Sequence, residues 1–212
     1  MSDVWSERAQ LYRESDAHRE GPDLDLVVDW AAGSRTALDV ATGGGHVARR
    51  LREAGLDVVT TDAAPGMEPD VVCPAEHLPF ADSSFDVVAS RVAAHHFADP
   101  RAAAAEMARV SGDRVIVVDN LFMSDEAEKA DRIRDRSHVR NYTETEWRSM
   151  LEEPGLVVEE VRLFAKPIEL ESWLVRTGCE GSEAGRVRAL LADRIEGGWV
   201  ALDRIALRAR KA

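Results

Sequence analysis

The most constraining feature of the chain is the run LDVATGGGH at residues 38–46, where a short apolar strand turns through three glycines into a helix. Gly43 and Gly45 are predicted to adopt positive φ angles and to let the backbone approach a ligand closely, because neither carries a Cβ. The helix predicted over residues 46–54 directs its unpaired N–H groups and the positive end of its dipole at the same place. This pattern predicts an α/β sheet with a site for the anionic end of a nucleotide-like cofactor.

The glycine turn by itself fits two classes of cofactor. Gly43-x-Gly45-x-x-Ala48 also satisfies the dinucleotide fingerprint, and Asp62 lies about 20 residues further on, where a ribose-binding acid is expected. Strands that bind nicotinamide cofactors usually run apolar into the first glycine, whereas Asp39 lies four positions before Gly43. An acid there favours a cofactor with a cationic group, such as S-adenosylmethionine (AdoMet), whose methionine carboxylate would face the turn.

Composition narrows the classes of function further. The chain has 212 residues and a formal net charge of −12, so it offers no positive field to a nucleic acid. Cys73 and Cys179 are the two cysteines, and their separation predicts neither a disulfide framework nor a metal site. No apolar leader and no stretch long enough to span a bilayer is found, which predicts a cytoplasmic protein.

Short apolar runs alternate with helix-like segments along the chain, which is typical of βαβ units in a parallel sheet. Strands are predicted at residues 36–40, 57–61, 70–73, 85–90, 114–119, 157–163 and 200–210. Helices are predicted at residues 24–32, 46–54, 101–109, 144–152, 170–176 and 183–196. The last two strands fit an antiparallel hairpin at one edge. The charged segment 124–140 is predicted to be a solvated helix or a mobile loop.

The segment AEHLPFADSSFDVV at residues 75–88, together with the glycine run, closely resembles class I AdoMet-dependent methyltransferases of the group that includes the ubiquinone and menaquinone biosynthesis methyltransferases. The resemblance implies one α/β domain over residues 1–212 with a Rossmann-like, mostly parallel sheet of seven strands and helices on both faces. It implies an N-terminal arm (1–33), a cofactor-binding half (34–122), and a lid and substrate half (123–212). It also implies AdoMet as the cofactor, with transfer of its methyl group to an oxygen, nitrogen or carbon atom of a small molecule.

The resemblance further assigns candidate residues to the cofactor. In this group an arm covers the methionine end, an acid after the second strand holds the ribose hydroxyls, and the start of the 75–88 segment lies beside the adenine. The cofactor-binding residues so implied are Tyr12, His18, Asp39, Ala41, Thr42, Gly43, Gly45, Asp62, Ala63, Ala75, Glu76, Arg91 and Val92.

Three histidines are the candidates for proton transfer. His95 and His96 follow the fourth strand at the edge where open α/β sheets bind ligands, and imidazole titrates near neutral pH. His138 and Arg140 lie in the charged segment, where they could meet an anionic or phenolic acceptor. The alternatives are histidines that only hydrogen-bond the loop backbone, and a solvated, salt-bridged surface.

One departure from the family pattern lies between the second and third strands. Only seven residues, two of them prolines, join Asp62 to Asp70, so a full helix cannot form there. Pro74 also replaces an acid that often contacts the adenine. Either the arm or a second subunit covers this flank, which predicts a possible homodimer, or the chain is a non-catalytic scaffold with weakened cofactor binding. A nicotinamide-dependent oxidoreductase is the remaining alternative, and Asp39 disfavours it.

Overall fold

A mixed sheet forms the centre of the protein, and its carboxyl edge positions the site. The computed structural model describes residues 4–212, apart from the side chains of residues 16 and 17, so the first three residues of the predicted arm lie outside it. The strands are β1 (Thr36–Val40), β2 (Asp57–Asp62), β3 (Val71–Val72), β4 (Phe85–Arg91), β5 (Ser111–Asn120), β6 (Leu156–Glu169), β7 (Ile195–Glu196) and β8 (Trp199–Lys211). Their order is β3-β2-β1-β4-β5-β8-β6, with β7 paired to β8.

The pairing confirms the Rossmann-like architecture expected from the sequence. β1 to β5 are mutually parallel, whereas β8 runs antiparallel to both β5 and β6 at the far edge. β1 lies between β2 and β4, so the chain leaves β1 toward one side of the sheet and reaches β4 on the other. The carboxyl ends of β1 and β4 therefore mark the topological switch point, where open α/β sheets bind ligands.

Helices cover both faces of the sheet. They are α1 (Val4–Arg13), α2 (Asp16–Arg19), α3 (Pro22–Trp30), α4 (His46–Glu53), α5 (Pro100–Val110), α6 (Asp125–Arg134), α7 (Glu144–Glu152), α8 (Leu170–Val175) and α9 (Gly181–Leu190). Side chains of α3 and α4 pack on one face, and those of α5 and α7 on the other. No helix within residues 4–212 combines the length and apolar character needed to cross a bilayer.

Three local predictions are corrected by the structure. The helix expected over residues 183–196 ends at Leu190, and residues 195–196 instead form β7, which pairs with β8 across a tight turn at Gly197 and Gly198 with φ angles of 57° and 84°. The third strand is shorter than expected, since Asp70 accepts bonds from the Thr60 backbone and hydroxyl instead of pairing through its own backbone. Segment 124–140 contains the helix α6, as one of the two alternatives expected, but this helix is only partly solvated because Glu128, Asp131 and Arg134 are buried.

The short connection between β2 and β3 is covered by the N-terminal arm. The connection forms one 3-10 turn, Pro65–Met67, and Met67 packs with Ala64 against Ala9 of α1. Ser6 accepts a hydrogen bond from the N–H of Gly66 at 2.8 Å. The arm thus supplies the cover that was expected from either the arm or a second subunit. A homodimer remains a prediction, which light scattering can test.

Gly66 is the tightest point of this contact, and substitution there is expected to detach α1. A Cβ at Gly66 would lie 2.5 Å from the Cβ and 2.6 Å from the Cα of Ser6, and backbone atoms cannot yield as a flexible side chain does. Gly66→Ala should therefore increase amide hydrogen exchange across residues 4–13. Gly185→Ala in α9 is the control, because its Cβ would meet no atom within 4 Å. Unchanged exchange in α1 would contradict the expectation.

Candidate functional site

A cavity of about 270 Å³ opens at the switch point. Its walls come from the arm, the glycine turn after β1, the end of β2 and the segment that follows β3, and the turn after β4. Most of the residues predicted to hold a cofactor line it, namely Tyr12, His18, Asp39, Ala41, Thr42, Gly43, Asp62, Ala63, Ala75, Glu76, Arg91 and Val92. The sheet edge therefore brings together residues that are up to 80 positions apart in sequence.

The turns after β1 and β4 share an unusual backbone conformation. Gly43 and Gly45 have φ angles of 53° and 74°, as the sequence predicts. Ala41 and Val92, the residues directly after the two strands, also have φ angles of 55° and 56°. Positive φ is costly for a residue with a Cβ, and for β-branched valine in particular, and such strain concentrates at functional sites. Both turns bend so that their backbone faces the cavity.

The glycine turn packs directly against the arm. A Cβ at Gly44 would lie 2.9 Å from the carbonyl oxygen of Tyr12, so a side chain cannot fit there. The same carbonyl accepts a hydrogen bond from Nε2 of His46 at 3.0 Å. Burial lowers the pKa of His46, which keeps the ring neutral. His46 therefore holds the arm to the start of α4.

Two carboxylates mark the ends of β1 and β2. Asp39 is fully buried and accepts bonds from the Thr42 hydroxyl at 2.6 Å and the Ala48 N–H at 3.0 Å. Asp62 accepts bonds from the N–H groups of Gly43 and Ala64, each at 2.9 Å. Asp62 thereby ties the glycine turn to the β2–β3 connection, and both carboxylates reach the cavity wall.

Burial raises the pKa of Asp39 to about 6, and the nearby Asp62 adds to this, while the bonds from Thr42 and Ala48 oppose it. A carboxyl group with a raised pKa binds its proton more tightly in the folded state than in the unfolded state. The folded state therefore loses stability as the pH rises from about 4 to about 6. Above that window, an ionised Asp39 is a cost that a cationic ligand could offset.

Asp39→Asn is expected to stabilise the ligand-free protein. An amide oxygen can accept the bonds from Thr42 and Ala48, and an amide does not ionise. The free energy of unfolding at pH 7 should rise by roughly 2–3 kcal/mol, and its dependence on pH between 4 and 6 should flatten. Chemical denaturation at several pH values measures both effects, with exposed Asp57→Asn as the control. A variant with the pH profile of the wild type would contradict the assignment.

The end of the cavity near the arm carries positive charge. Arg91 lines the cavity and donates to Asp23 at 2.6 Å and to the carbonyl of His18 at 3.0 Å. Burial raises the pKa of Asp23, but Arg91, Arg204 and Lys166 outweigh it and lower the pKa overall. Burial also lowers the pKa of Lys166 to about 8. One carboxylate thus faces three cationic side chains.

Of the three candidate histidines, His96 lines the cavity. Its Nδ1 lies 3.0 Å from the carbonyl oxygen of Ser137, and a carbonyl only accepts, so the proton sits on Nδ1 and Nε2 carries the lone pair. Burial, and secondarily the neighbouring His95, lower the pKa of His96 well below its usual value. His96 is therefore a neutral acceptor at neutral pH.

The structure does not place His95 and His138 on the cavity wall. Nδ1 of His95 is 2.5 Å from the buried carboxylate of Asp119, which also accepts from the backbone N–H of His95 at 2.9 Å. Nε2 of His138 donates to Glu128 at 2.9 Å. Their rings pack beside His96, with centroids at 4.0 Å and 6.2 Å, so they support that ring. Gly45 likewise lies behind the wall, where it caps α4.

Other lining residues were not singled out in the sequence. Trp5 packs edge-to-face on His96 with the ring centroids 4.5 Å apart, and Phe97 and Met67 add apolar surface. Trp5 lies in an arm whose contacts depend on the tertiary fold, so no motif marked it. Phe97 directly follows the histidine pair, and its position could have identified it. Arg140 lies on the surface and pairs with Glu146.

Fold and cavity together define an α/β protein with a cavity at the topological switch point of its sheet. Comparison with known proteins specifies the family. Residues 38–117 match the family model described as a methyltransferase domain. The uncharacterized methyltransferase YcgJ of Bacillus subtilis is 32% identical over 199 residues, covering 82% of this chain and 78% of that protein. The chain belongs to the class I AdoMet-dependent methyltransferase family.

Further relatives agree with this assignment. The structure of a putative methyltransferase from Bacillus halodurans C-125 superposes with a TM-score of 0.78 at 30% identity, covering 90% of this chain and 99% of that one. A demethylmenaquinone methyltransferase of Renibacterium salmoninarum is 38% identical over 108 residues, which cover 44% of this chain and 46% of that protein.

Proposed function

We propose that this protein transfers the methyl group of AdoMet to an oxygen or acidic carbon of a small, mainly apolar molecule. The observation that carries the proposal is His96, a neutral imidazole on the cavity wall whose Nδ1 is engaged by the Ser137 carbonyl, which leaves Nε2 as the acceptor. A base at this place suits an acceptor that must lose a proton as it is methylated. A nitrogen acceptor, which the sequence leaves open, has less need of such a base, because an amine already carries a free lone pair.

The charges of the cavity fit AdoMet along its length. Asp62 offers carboxylate oxygens at the end of β2, where ribose hydroxyls would donate. Arg91 and its cationic neighbours suit the methionine carboxylate, together with the glycine turn and with His18 and Tyr12 of the arm. Asp39 lies between these ends, where its ionised form would favour a cationic sulfonium. Ala75 and Glu76, which line the cavity in the segment after β3, would flank the adenine.

The chain's own contribution to the reaction is orientation, exclusion of water and one proton transfer. Bound AdoMet would supply an activated methyl group, so alignment accounts for most of the acceleration. Trp5, Met67 and Phe97 provide an apolar surface for the acceptor next to His96. Nε2 of His96 accepts the proton that the acceptor loses, while the Ser137 carbonyl holds the ring through Nδ1. His95 and His138 position that ring.

The short β2–β3 connection does not leave the cavity open, because α1 packs on it and closes that side. The connection therefore gives no reason to expect weakened cofactor binding or a scaffold role. No contact within the described residues 4–212 therefore favours the non-catalytic alternative.

Calorimetric titration with AdoMet and with S-adenosylhomocysteine tests the proposal. We expect saturable heat and thermal stabilisation by both ligands, followed by incorporation of labelled methyl groups into phenolic or enolic acceptors but not into matched O-methyl ethers. Protection by NAD instead of AdoMet, or no heat at millimolar ligand, would overturn it.

A further inference from the structure

The N-terminal helix α1 contacts the surroundings of His96 at two places. Trp5 packs against the imidazole in a T-shaped arrangement, with an interplanar angle of 70°. Arg8, three residues later, donates from Nη1 to Asp135 at 3.3 Å and from Nη2 to the carbonyl of Thr177 at 2.9 Å. The Asp135 side chain is fully buried and that of Arg8 is 19% exposed, so little water screens this pair.

Asp135 is linked to His96 through one residue. Its Oδ1 accepts from the N–H of Ser137 at 3.1 Å and from the Ser137 hydroxyl at 2.5 Å. The carbonyl of Ser137 in turn accepts from Nδ1 of His96. Asp135, which accepts a hydrogen bond from Arg8, therefore also holds the turn at Ser137 in place. The carbonyl of that turn determines which nitrogen of His96 carries the proton. Three segments meet here: α1, the turn after α6 and the turn after β4.

The groups that face His96 act on its charge in opposite directions. His95 and His138 disfavour a positive imidazolium, as does burial, whereas the Ser137 carbonyl and Asp135 favour it. From α1, Trp5 adds burial without charge. Arg8 shares Asp135 with Arg134, and both cations offset the charge of that carboxylate. Tyr12, beside Trp5, has a raised pKa owing to burial and stays neutral. Both contacts of α1 therefore favour neutral imidazole.

We infer that α1 controls the protonation of His96. When α1 is docked, it holds His96 deprotonated with Nε2 toward the cavity. When α1 is displaced, His96 takes up a proton from water. Trp5, Arg8 and Asp135 are then positioning residues, since they act through His96. Closure of the arm releases that proton before the acceptor reacts. This inference rests on the proposed function in one respect, namely that the lone pair of His96 accepts the proton that the methyl acceptor loses.

Titration of the histidines by nitrogen-15 NMR in the cofactor-free full-length protein tests the inference without any methyl transfer. The His96 signals are assigned by their loss in His96→Gln. Arg8→Gln and Trp5→Ala are each expected to raise the titration midpoint of His96 by about one pH unit. Asp135→Asn is expected to lower it, because the carboxylate that favours the imidazolium is removed. Effects of opposite sign separate this device from general loosening of the fold.

Two matched variants serve as controls. Arg19→Gln removes the same charge from an exposed position of the arm and should leave the midpoint unchanged. Arg8→Lys keeps the charge and should stay near the wild type. The inference is overturned if Arg8→Gln and Trp5→Ala move the midpoint no more than Arg19→Gln does, or if Asp135→Asn raises it. Failure of AdoMet to bind would instead refute the proposed function and leave these midpoints as they are.

Discussion

His96→Gln is expected to lower kcat for methyl transfer by about 10²- to 10⁴-fold, the usual contribution of a positioned general base. Glutamine can still donate to the Ser137 carbonyl but offers no basic lone pair to the cavity. Affinity for AdoMet should change little, because His96 contributes to the acceptor side. In the wild type the rate should be flat near neutral pH and fall only below the usual titration range of histidine, since burial lowers the pKa of His96. The variant should lose this acid limb.

His77→Gln is the control for this experiment, because His77 is exposed and does not line the cavity. It should leave both kcat and the pH profile unchanged. Retention of full activity by His96→Gln, with the acid limb intact, would show that the acceptor needs no base from this ring.

Asp62→Ala is expected to weaken binding of AdoMet by about 100-fold, which corresponds to about 2–3 kcal/mol for the loss of charged hydrogen-bond acceptors. The substitution also frees the N–H groups of Gly43 and Ala64, so the glycine turn loses its tie to the β2–β3 connection. Calorimetry at constant ionic strength measures the affinity, and thermal unfolding checks that the variant is folded. S-adenosylhomocysteine should lose as much affinity as AdoMet, since the ribose is common to both.

Asp57→Ala tests whether a carboxylate at the other end of β2 matters in the same way. Asp57 is exposed and lies at the edge of the sheet away from the cavity, so its removal should leave the affinity unchanged. Equal weakening in both variants would mean that Asp62 acts through net charge rather than by contact.

Local signals in the sequence were sufficient for much of the fold. The alternation of apolar runs and helices predicted the parallel sheet, and the glycine run predicted positive φ at Gly43 and Gly45. The turn at Gly197 and Gly198 was also readable, but the helix expected over residues 183–196 obscured it. Positive φ at Ala41 and Val92 was not readable, because neither residue prefers it and only the surrounding structure imposes it.

The sequence by itself determined the family, the mostly parallel sheet and the carboxylates at the ends of β1 and β2, since these follow from periodicity and from short motifs close together in the chain. Only the tertiary structure decided which histidine faces the cavity and what covers the short connection. His95 and His96 are neighbours with the same side chain, and their roles separate because Asp119 pairs with one and the Ser137 carbonyl orients the other. The two contacts join residues that are separated by 24 and by 41 positions in the sequence, so no local pattern encodes them.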